Sequence, residues 1–292
     1  MTAEFDPTLP VADRAGYGDF AVTRYRRGAR AEETDTACEE FPVALVFNGL
    51  SHAVMMATPR DLEALAVGFA LTEGIVPDRR AILDYEAVVG DRAAEVRLSI
   101  SQGAFFALKA RRRSLAGRTG CGLCGIESLA MLDLAPERVA PLAGPLDIAS
   151  AVARAARELP AHQALMARTG GMHAAAWCDR QGRVLQAFED VGRHNALDKL
   201  IGARALRRQP FGDGFVFLSS RASYELVRKA ARVGIPMLAT ISAPTSLAID
   251  IARQAGMTLA SFCRQDGCVV YADGRQVRPV HGAAQAHDAQ TA

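Results

Sequence analysis

Between residues 215 and 262 the sequence alternates short apolar runs with amphipathic stretches, and no other feature limits the fold as much. The runs 215–218, 237–241 and 258–262 have the length of strands, and 223–233 and 245–255 have helical period. Strands joined by helices of that length pair in parallel through right-handed crossovers, so this half of the chain reads as α/β with a mostly parallel sheet. A further run, 268–271, follows Asp266-Gly267 closely enough to be a hairpin partner and gives the sheet an antiparallel edge. Upstream, 148–166 is Ala-rich and helical in period until Thr169-Gly170-Gly171. Strands at 173–178 and 183–188 then flank a Gln181-Gly182 turn, and a helix starts near Arg193.

The first part of the chain reads differently. Apolar runs at 43–47 and 52–56 flank Asn48-Gly49, a hairpin signal. Thr58-Pro59-Arg60-Asp61 then supplies an N-cap, a Pro at the first helical position and an acidic first turn. Leu62, Leu65, Ala66, Phe69 and Ala70 repeat at helical spacing up to Gly74. Strands at 83–89 and 94–100 and a helix over 103–113 complete an α+β unit over 31–113. Residues 1–30 read as a polar tail, 114–146 as a Gly-rich loop and connection, 147–275 as the C-terminal domain and 276–292 as a disordered tail.

With 292 residues, half of them hydrophobic, the chain can bury a core. Its net charge of +2 is too balanced for a protein that binds nucleic acid by counterion release, and the scattered aromatics form no stacking platform. Nucleic acid is not an expected partner. No apolar run has the length of a membrane span and the N-terminus lacks the pattern of a signal peptide, so the cytoplasm is the expected compartment. Six cysteines, Cys38, Cys121, Cys124, Cys178, Cys263 and Cys268, are too few for a disulfide scaffold.

Cys121-Gly122-Leu123-Cys124 stands apart from the other cysteines because Gly117, Gly120, Gly122 and Gly125 surround it, with Arg111, Arg112, Arg113 and Arg118 upstream. Positive neighbours favour the thiolate, and glycines suit a mobile arm that reaches a partner and swings back. The competing reading is half of a zinc site, but no second C-x-x-C or H-x3-5-H completes it. Thr169-Gly170-Gly171-Met172-His173 resembles the start of a zinc-deaminase site. Ala175 stands where that chemistry requires Glu, and the one C-x-x-C precedes the His.

Glu189-Asp190-Val191-Gly192-Arg193-His194-Asn195 lies where a strand ends and a helix begins. Free backbone N–H groups there attract phosphate, Arg193 and His194 add donors, and Asp190 and Asp198 can orient them. A capped surface helix with an i,i+4 pair between His194 and Asp198 explains the same residues. Ser219-Ser220-Arg221 and Ser242-Ala243-Pro244-Thr245 repeat the placement. Each serine is also a plausible N-cap, but together they form a row at the carboxyl edge of a parallel sheet, where α/β folds bind ligands.

These words together resemble the FdhD family, the formate dehydrogenase accessory sulfurtransferases. The resemblance rests on Asn48-Gly49 with Met55-Met56-Ala57-Thr58-Pro59, Gly68-Phe69 and Glu73-Gly74, Cys121-Gly122-Leu123-Cys124-Gly125, Thr169-Gly170-Gly171-Met172-His173, the segment Glu189 through Asn195 with Asp198-Lys199, and Ser242-Ala243-Pro244-Thr245. It implies a cytidine-deaminase-like αβα domain that has lost its metal chemistry, and a homodimer. It implies further that Cys121 takes sulfur from a cysteine desulfurase as a persulfide, with Cys124 as accessory thiol. The sulfur then passes to the molybdenum or tungsten bis(molybdopterin guanine dinucleotide) cofactor of formate dehydrogenase. GDP is the expected analogue of that cofactor's nucleotide end.

The family's cofactor-binding segment maps onto Phe262, Cys263, Arg264, Gln265, Asp266 and Gly267, and Asp190, Arg193, His194, Ser219, Arg221 and Ser242 join it as expected cofactor contacts. Ser220 and Ser261 stand where the family usually has Gly, and each added side chain is expected to crowd the ligand. A chaperone that binds and delivers the cofactor without transferring sulfur is the alternative.

Overall fold

The computed structural model describes residues 14–116, 135–142 and 144–276. The first of them form an antiparallel ribbon, β1 (Tyr17–Arg26) and β2 (Ala29–Cys38). Its turn, Arg27-Gly28, has φ of 49° and 81°, the positive values a two-residue hairpin needs. The polar tail expected over 1–30 is therefore corrected from residue 17 onward, and residues 1–13 lie outside the described residues. A ribbon exposed on both faces needs no apolar alternation, which is why its sequence looked unstructured. Cross-strand pairs such as Arg24 with Glu33 (2.6 Å) and Asp35 (3.0 Å) supply the register instead.

β3 (Phe41–Phe47) and β4 (Leu50–Ala57) turn at Asn48-Gly49 as expected, with φ of 47° and 78°. α1 (Leu62–Thr72), β5 (Ile82–Val89), β6 (Ala94–Ile100) and α2 (Gln102–Ala116) follow. The four strands form a sheet in the order β4-β3-β6-β5, with β3 and β6 parallel. Helix α1 begins later than its sequence predicts. Thr58 is no N-cap: it is wholly buried and donates its N–H to Asp190, while Asp61, at φ 53°, caps the helix without a side-chain bond.

In the second half, the single helix expected over 148–166 is α3 (Ile148–Glu158) and α4 (Ala164–Thr169), parted by a 3-10 turn that contains Pro160. Then come β7 (His173–Cys178), β8 (Val184–Asp190), α5 (Arg193–Leu206), β9 (Phe215–Leu218) and α6 (Tyr224–Arg232). β10 (Met237–Thr240), α7 (Ser246–Ala255), β11 (Thr258–Arg264) and β12 (Gly267–Ala272) end the fold.

The sheet order is β12-β11-β10-β9-β7-β8, and only β9 with β10 and β10 with β11 are parallel neighbours. The expectation of a mostly parallel sheet is corrected to a mixed one. β7 pairs antiparallel with both β8 and β9, so the crossover through α5 joins two strands of like direction with β7 inserted between them. β8, β9, β10 and β11 consequently all end at one edge, where β7 and β12 begin.

Alternation along these strands builds two cores. Ala175, Trp177, Val216, Leu218, Leu238 and Leu259 face α1, α5, α6, α7 and the four-stranded sheet. Ala174, Ala176, Phe215, Phe217, Ala239 and Ala260 face α3. Strands buried on both faces read as unbroken apolar runs, which is why they were visible in the sequence. The larger core runs through both halves of the chain, so the division expected at residue 113 does not divide it.

The halves meet where α1 crosses α5. A Cβ on Gly68 would stand 1.8 Å from the Asp198 carbonyl oxygen, and one on Gly202 would stand 1.8 Å from that of Ala64. Beside this crossing, Lys229 of α6 is buried with its Nζ 2.9 Å from Asp198 of α5, 2.8 Å from Glu73 and 2.9 Å from the Thr72 hydroxyl. Burial opposes the charge, but Asp198 and Glu73 outweigh it and hold the Lys229 ammonium above the ordinary lysine value.

Two consequences are measurable. Gly202→Ala should lower stability by about 3 kcal/mol, the upper end of overpacking costs, because backbone rather than a pliable side chain must move. Denaturant unfolding checks it. Lys229→Met should cost about 3–5 kcal/mol at pH 7 by leaving the Asp198 carboxylate buried and unpaired. An unpaired buried carboxylate has a raised pKa in the folded state, so the folded variant binds a proton more readily than the unfolded chain. Its deficit should shrink as pH falls from 7 to 5, read as converging melting temperatures.

Candidate functional site

The carboxyl edge of the six-stranded sheet collects the sequence-predicted residues. Ser242 donates its N–H to the Ser220 carbonyl (3.4 Å), Phe262 donates to the Ser242 carbonyl (3.3 Å), and Ala222 bridges Pro244 in parallel. The loops after β9 and β10 thus lie side by side, as their sequences predict, and the end of β11 joins them. Ser219 is fixed from the next strand, its hydroxyl accepting the Ala174 N–H at 2.8 Å. Arg221 is exposed, and Arg264 donates to the Ile241 and Cys263 carbonyls.

The turn from β11 to β12 carries a bulge: Ser261 opposes Val269 and Arg264 opposes Gly267, leaving Phe262 and Cys263 opposite Cys268. Phe262 sits at φ 53°, a strained value for a bulky residue, and the residue is 44% exposed with its ring 6.5 Å from that of Tyr271. Cys263 turns the other way into the core against α3, so its side chain cannot be the edge contact the resemblance implied. Gln265 and Asp266 are exposed in the turn and Gly267 starts β12. Ser220 and Ser261, the two positions where the family usually has Gly, both turn their hydroxyls to partners in the protein. Both are buried, Ser261 bonding Thr240 Oγ1 at 2.8 Å and Ser220 donating to the Arg221 carbonyl.

Between β8 and α5, Asp190 also faces inward rather than toward a ligand. It is wholly buried, 2.6 Å from Lys199 Nζ, and accepts from Thr58 N (3.0 Å), Gly192 N (2.8 Å) and Asn195 Nδ2 (3.0 Å). Lys199 completes the knot through the Thr58 carbonyl (3.0 Å), and Val191 donates to the Thr58 hydroxyl (3.1 Å). Asp190 therefore shapes the turn that presents Arg193 and His194. Thr58 and Lys199 share that task. Sequence reasoning missed it because Thr58 lies more than a hundred positions from both Asp190 and Lys199.

His194 and Asp198 do not pair: Asp198 holds Lys229, and His194 Nε2 lies 3.3 Å from Glu225, whose carboxylate also accepts from Ser223 Oγ at 2.8 Å. Burial and the neighbouring Arg193 cation lower the pKa of both His194 and His173, leaving the imidazoles neutral at pH 7. Arg193 Nε is buried without a partner among the described residues. An orphaned guanidinium donor at the sheet edge that also carries the exposed Arg221 and Arg264 fits an anionic group.

Cys121 and Cys124 lie outside the described residues. Of the thiols that are described, burial pushes Cys263 up to about 12 and raises Cys178 and Cys268 as well, so these three are held as thiols rather than nucleophilic thiolates. Val139 N donates to the Ala255 carbonyl (2.8 Å), and Glu137 pairs with Arg232 at 2.8 Å. No helix among the described residues is long and apolar enough to cross a membrane.

Comparison with known proteins agrees with the sequence words. A sulfur carrier protein FdhD from Chromobacterium violaceum is 67% identical over 257 residues, covering 88% of this chain and 95% of that protein. The protein of the same name from Burkholderia mallei is 61% identical over 262 residues, covering 88% and 96%. A crystal structure of a formate dehydrogenase accessory protein from Desulfotalea psychrophila shares the fold, with a TM-score of 0.67 at 24% identity over 88% of this chain and 96% of that one. The FdhD/NarQ family is matched over residues 38–278, and the chain belongs to it.

Proposed function

We propose that the chain is a cytoplasmic, homodimeric sulfur carrier that serves formate dehydrogenase. Cys121 takes sulfur from a cysteine desulfurase and gives it to the molybdenum or tungsten bis(molybdopterin guanine dinucleotide) cofactor, with Cys124 as accessory thiol. The observation that carries this reading is the Cys121-x-x-Cys124 word in a chain whose buried thiols are disarmed, among relatives named sulfur carriers. In the loading step the Cys121 thiolate attacks the terminal sulfur of the donor's persulfide. A new S–S bond forms on Cys121, the donor's S–S bond breaks, and the donor cysteine leaves as thiolate.

The sheet edge supports the second half of the reading. Along the edge, Arg193, Arg221 and Arg264 offer cations for phosphates, the exposed Phe262 offers a stacking face for a guanine, and Ser219 and Ser242 add hydroxyls on the neighbouring loops. His194 at the N-terminus of α5 adds a neutral donor or acceptor. The backbone of the β11–β12 turn, including Gln265, Asp266 and Gly267, lines the same place. We read the six-stranded unit as cytidine-deaminase-like, with buried Ala175 in place of the proton shuttle.

After incubation with a cysteine desulfurase and cysteine, intact-protein mass spectrometry should show a gain of about 32 Da, one sulfur. Cys124→Ala should retain it better than Cys121→Ala. Loading of Cys121→Ala equal to wild type would overturn the assignment, and absence of any adduct with cofactor binding intact would favour the chaperone.

GDP should raise the melting temperature of wild type and Cys121→Ala alike, because a ligand that binds only the folded state stabilises it by mass action. Arg264→Ala should remove about 1.5–3 kcal/mol of that binding. Arg183→Ala should not, since Arg183 pairs with Asp179 at the opposite end of β8 (2.6 Å). Equal GDP shifts in the Arg264→Ala variant and wild type would move the nucleotide to the Arg193 turn.

A further inference from the structure

A cleft of about 710 Å³ opens at the far end of α5 from the candidate site. Helix α5 begins at the sheet edge with Arg193 and ends at the cleft with Leu206, so the two places are about 20 Å apart along its axis. Four arginines line the cleft, Arg79, Arg80, Arg208 and Arg232, against one acid, Asp78. The chain as a whole carries only +2, so this concentration is local.

Arginines at helix ends often do no more than hold the last carbonyls. Arg79 does so toward Ile82 (2.6 Å), and Arg232 is held by Glu137 (2.8 Å) and reaches the Thr72 carbonyl (3.5 Å). Arg80 and Arg208 do not: neither guanidinium has an ion pair or hydrogen bond to another described residue. Arg208 also sits at φ 54° just beyond α5, a place where glycine would spare the strain. Beside it, Gln209 Oε1 is buried without a donor among the described residues. Leu206 and Phe211 supply an apolar floor.

We infer that this cleft is a docking site for an acidic segment of the persulfide donor protein. Carboxylates would meet Arg80 and Arg208, a backbone N–H of the segment would satisfy Gln209 Oε1, and an apolar side chain would cover Phe211. The choice of partner rests on the proposed sulfur-carrier function and on Arg232. That residue both lines the cleft and pairs with Glu137, which in the sequence is only thirteen positions beyond Cys124. A donor docked here stands beside a residue close in sequence to the cysteines it must load.

The test is the Kd of immobilised cysteine desulfurase for the full-length chain, with sulfur loading followed separately by mass. Arg80→Glu/Arg208→Glu should bind about tenfold more weakly or worse, and Arg80→Lys/Arg208→Lys should retain most of the affinity, with wild-type binding weakening as salt rises. An unchanged GDP melting shift in the Glu variant shows that it is folded. Equal Kd values for wild type and the Glu variant, or no binding by wild type, would overturn the cleft assignment. Binding that follows the arginines with no sulfur gained on Cys121 would leave the docking site standing and sink the sulfur-carrier reading instead.

Discussion

The backbone contact between α1 and α5 is the constraint on which the rest of this structure depends. Two glycines, Gly68 and Gly202, let the helices approach until any Cβ would strike a carbonyl. Because α1 follows the first hairpin of the four-stranded sheet and α5 crosses the six-stranded one, that contact makes one core of two sheets. Hydrophobic burial supplies the stability of such a core but little of its register, since apolar surfaces are non-directional. Register comes from the ionic groups beside the crossing. Lys229 binds carboxylates from α1 and α5 together, and Lys199 with Asp190 ties the Thr58 turn to the start of α5. Buried pairs of this kind add little net stability over apolar replacements, yet a misplaced helix would leave each charge unpaired at a cost of several kcal/mol. They select one arrangement of α1, α5 and α6.

That selection shapes the sheet edge. The Asp190 carboxylate spends its oxygens on Thr58, Gly192, Asn195 and Lys199, so the turn leading into α5 has a fixed path, with Arg193 and His194 at its mouth. The inserted antiparallel strand β7 then brings Ala174 against the Ser219 hydroxyl, and the two following loops hydrogen-bond in sequence, ending at Phe262. A row of arginines on separate loops is thereby held without any one loop being long.

The sequence shows where these elements are better than how they connect. Strands β9 to β11 are legible because burial on both faces makes them continuous apolar runs, and Asn48-Gly49 is legible because its turn demands positive φ at both residues. The ribbon β1–β2 is not, since its pairing rests on charges that equally describe a tail. Thr58 looks like a helix cap because local signals at Pro59 and Asp61 agree, and only a partner at position 190 reveals that its N–H is already taken. The same distance in sequence hides the inward turn of Asp190, and a bulge invisible to period-2 reasoning sends Cys263 inward and Phe262 outward. Local chemistry is written locally; the competition of tertiary partners for a polar group is not.

A sulfur carrier has to meet two unlike partners, a protein donor and a nucleotide-bearing acceptor, and a single surface serving both would make each exclude the other. Here the cations divide between the sheet edge where α5 starts and the cleft where it ends. Along the sheet edge where α5 starts, Arg193, Arg221 and Arg264 stand separately, after β8, after β9 and at the end of β11, the last of them with an exposed aromatic residue, Phe262. At the end of α5, Arg80 and Arg208 flank a cleft with an apolar floor. A rigid helix anchored at its middle by Gly202 and Asp198 keeps the ends apart by its length. A donor bound at one end then leaves the other end free to hold the acceptor, and the near-neutral net charge of the whole chain no longer argues against anionic ligands, because each end concentrates its own share.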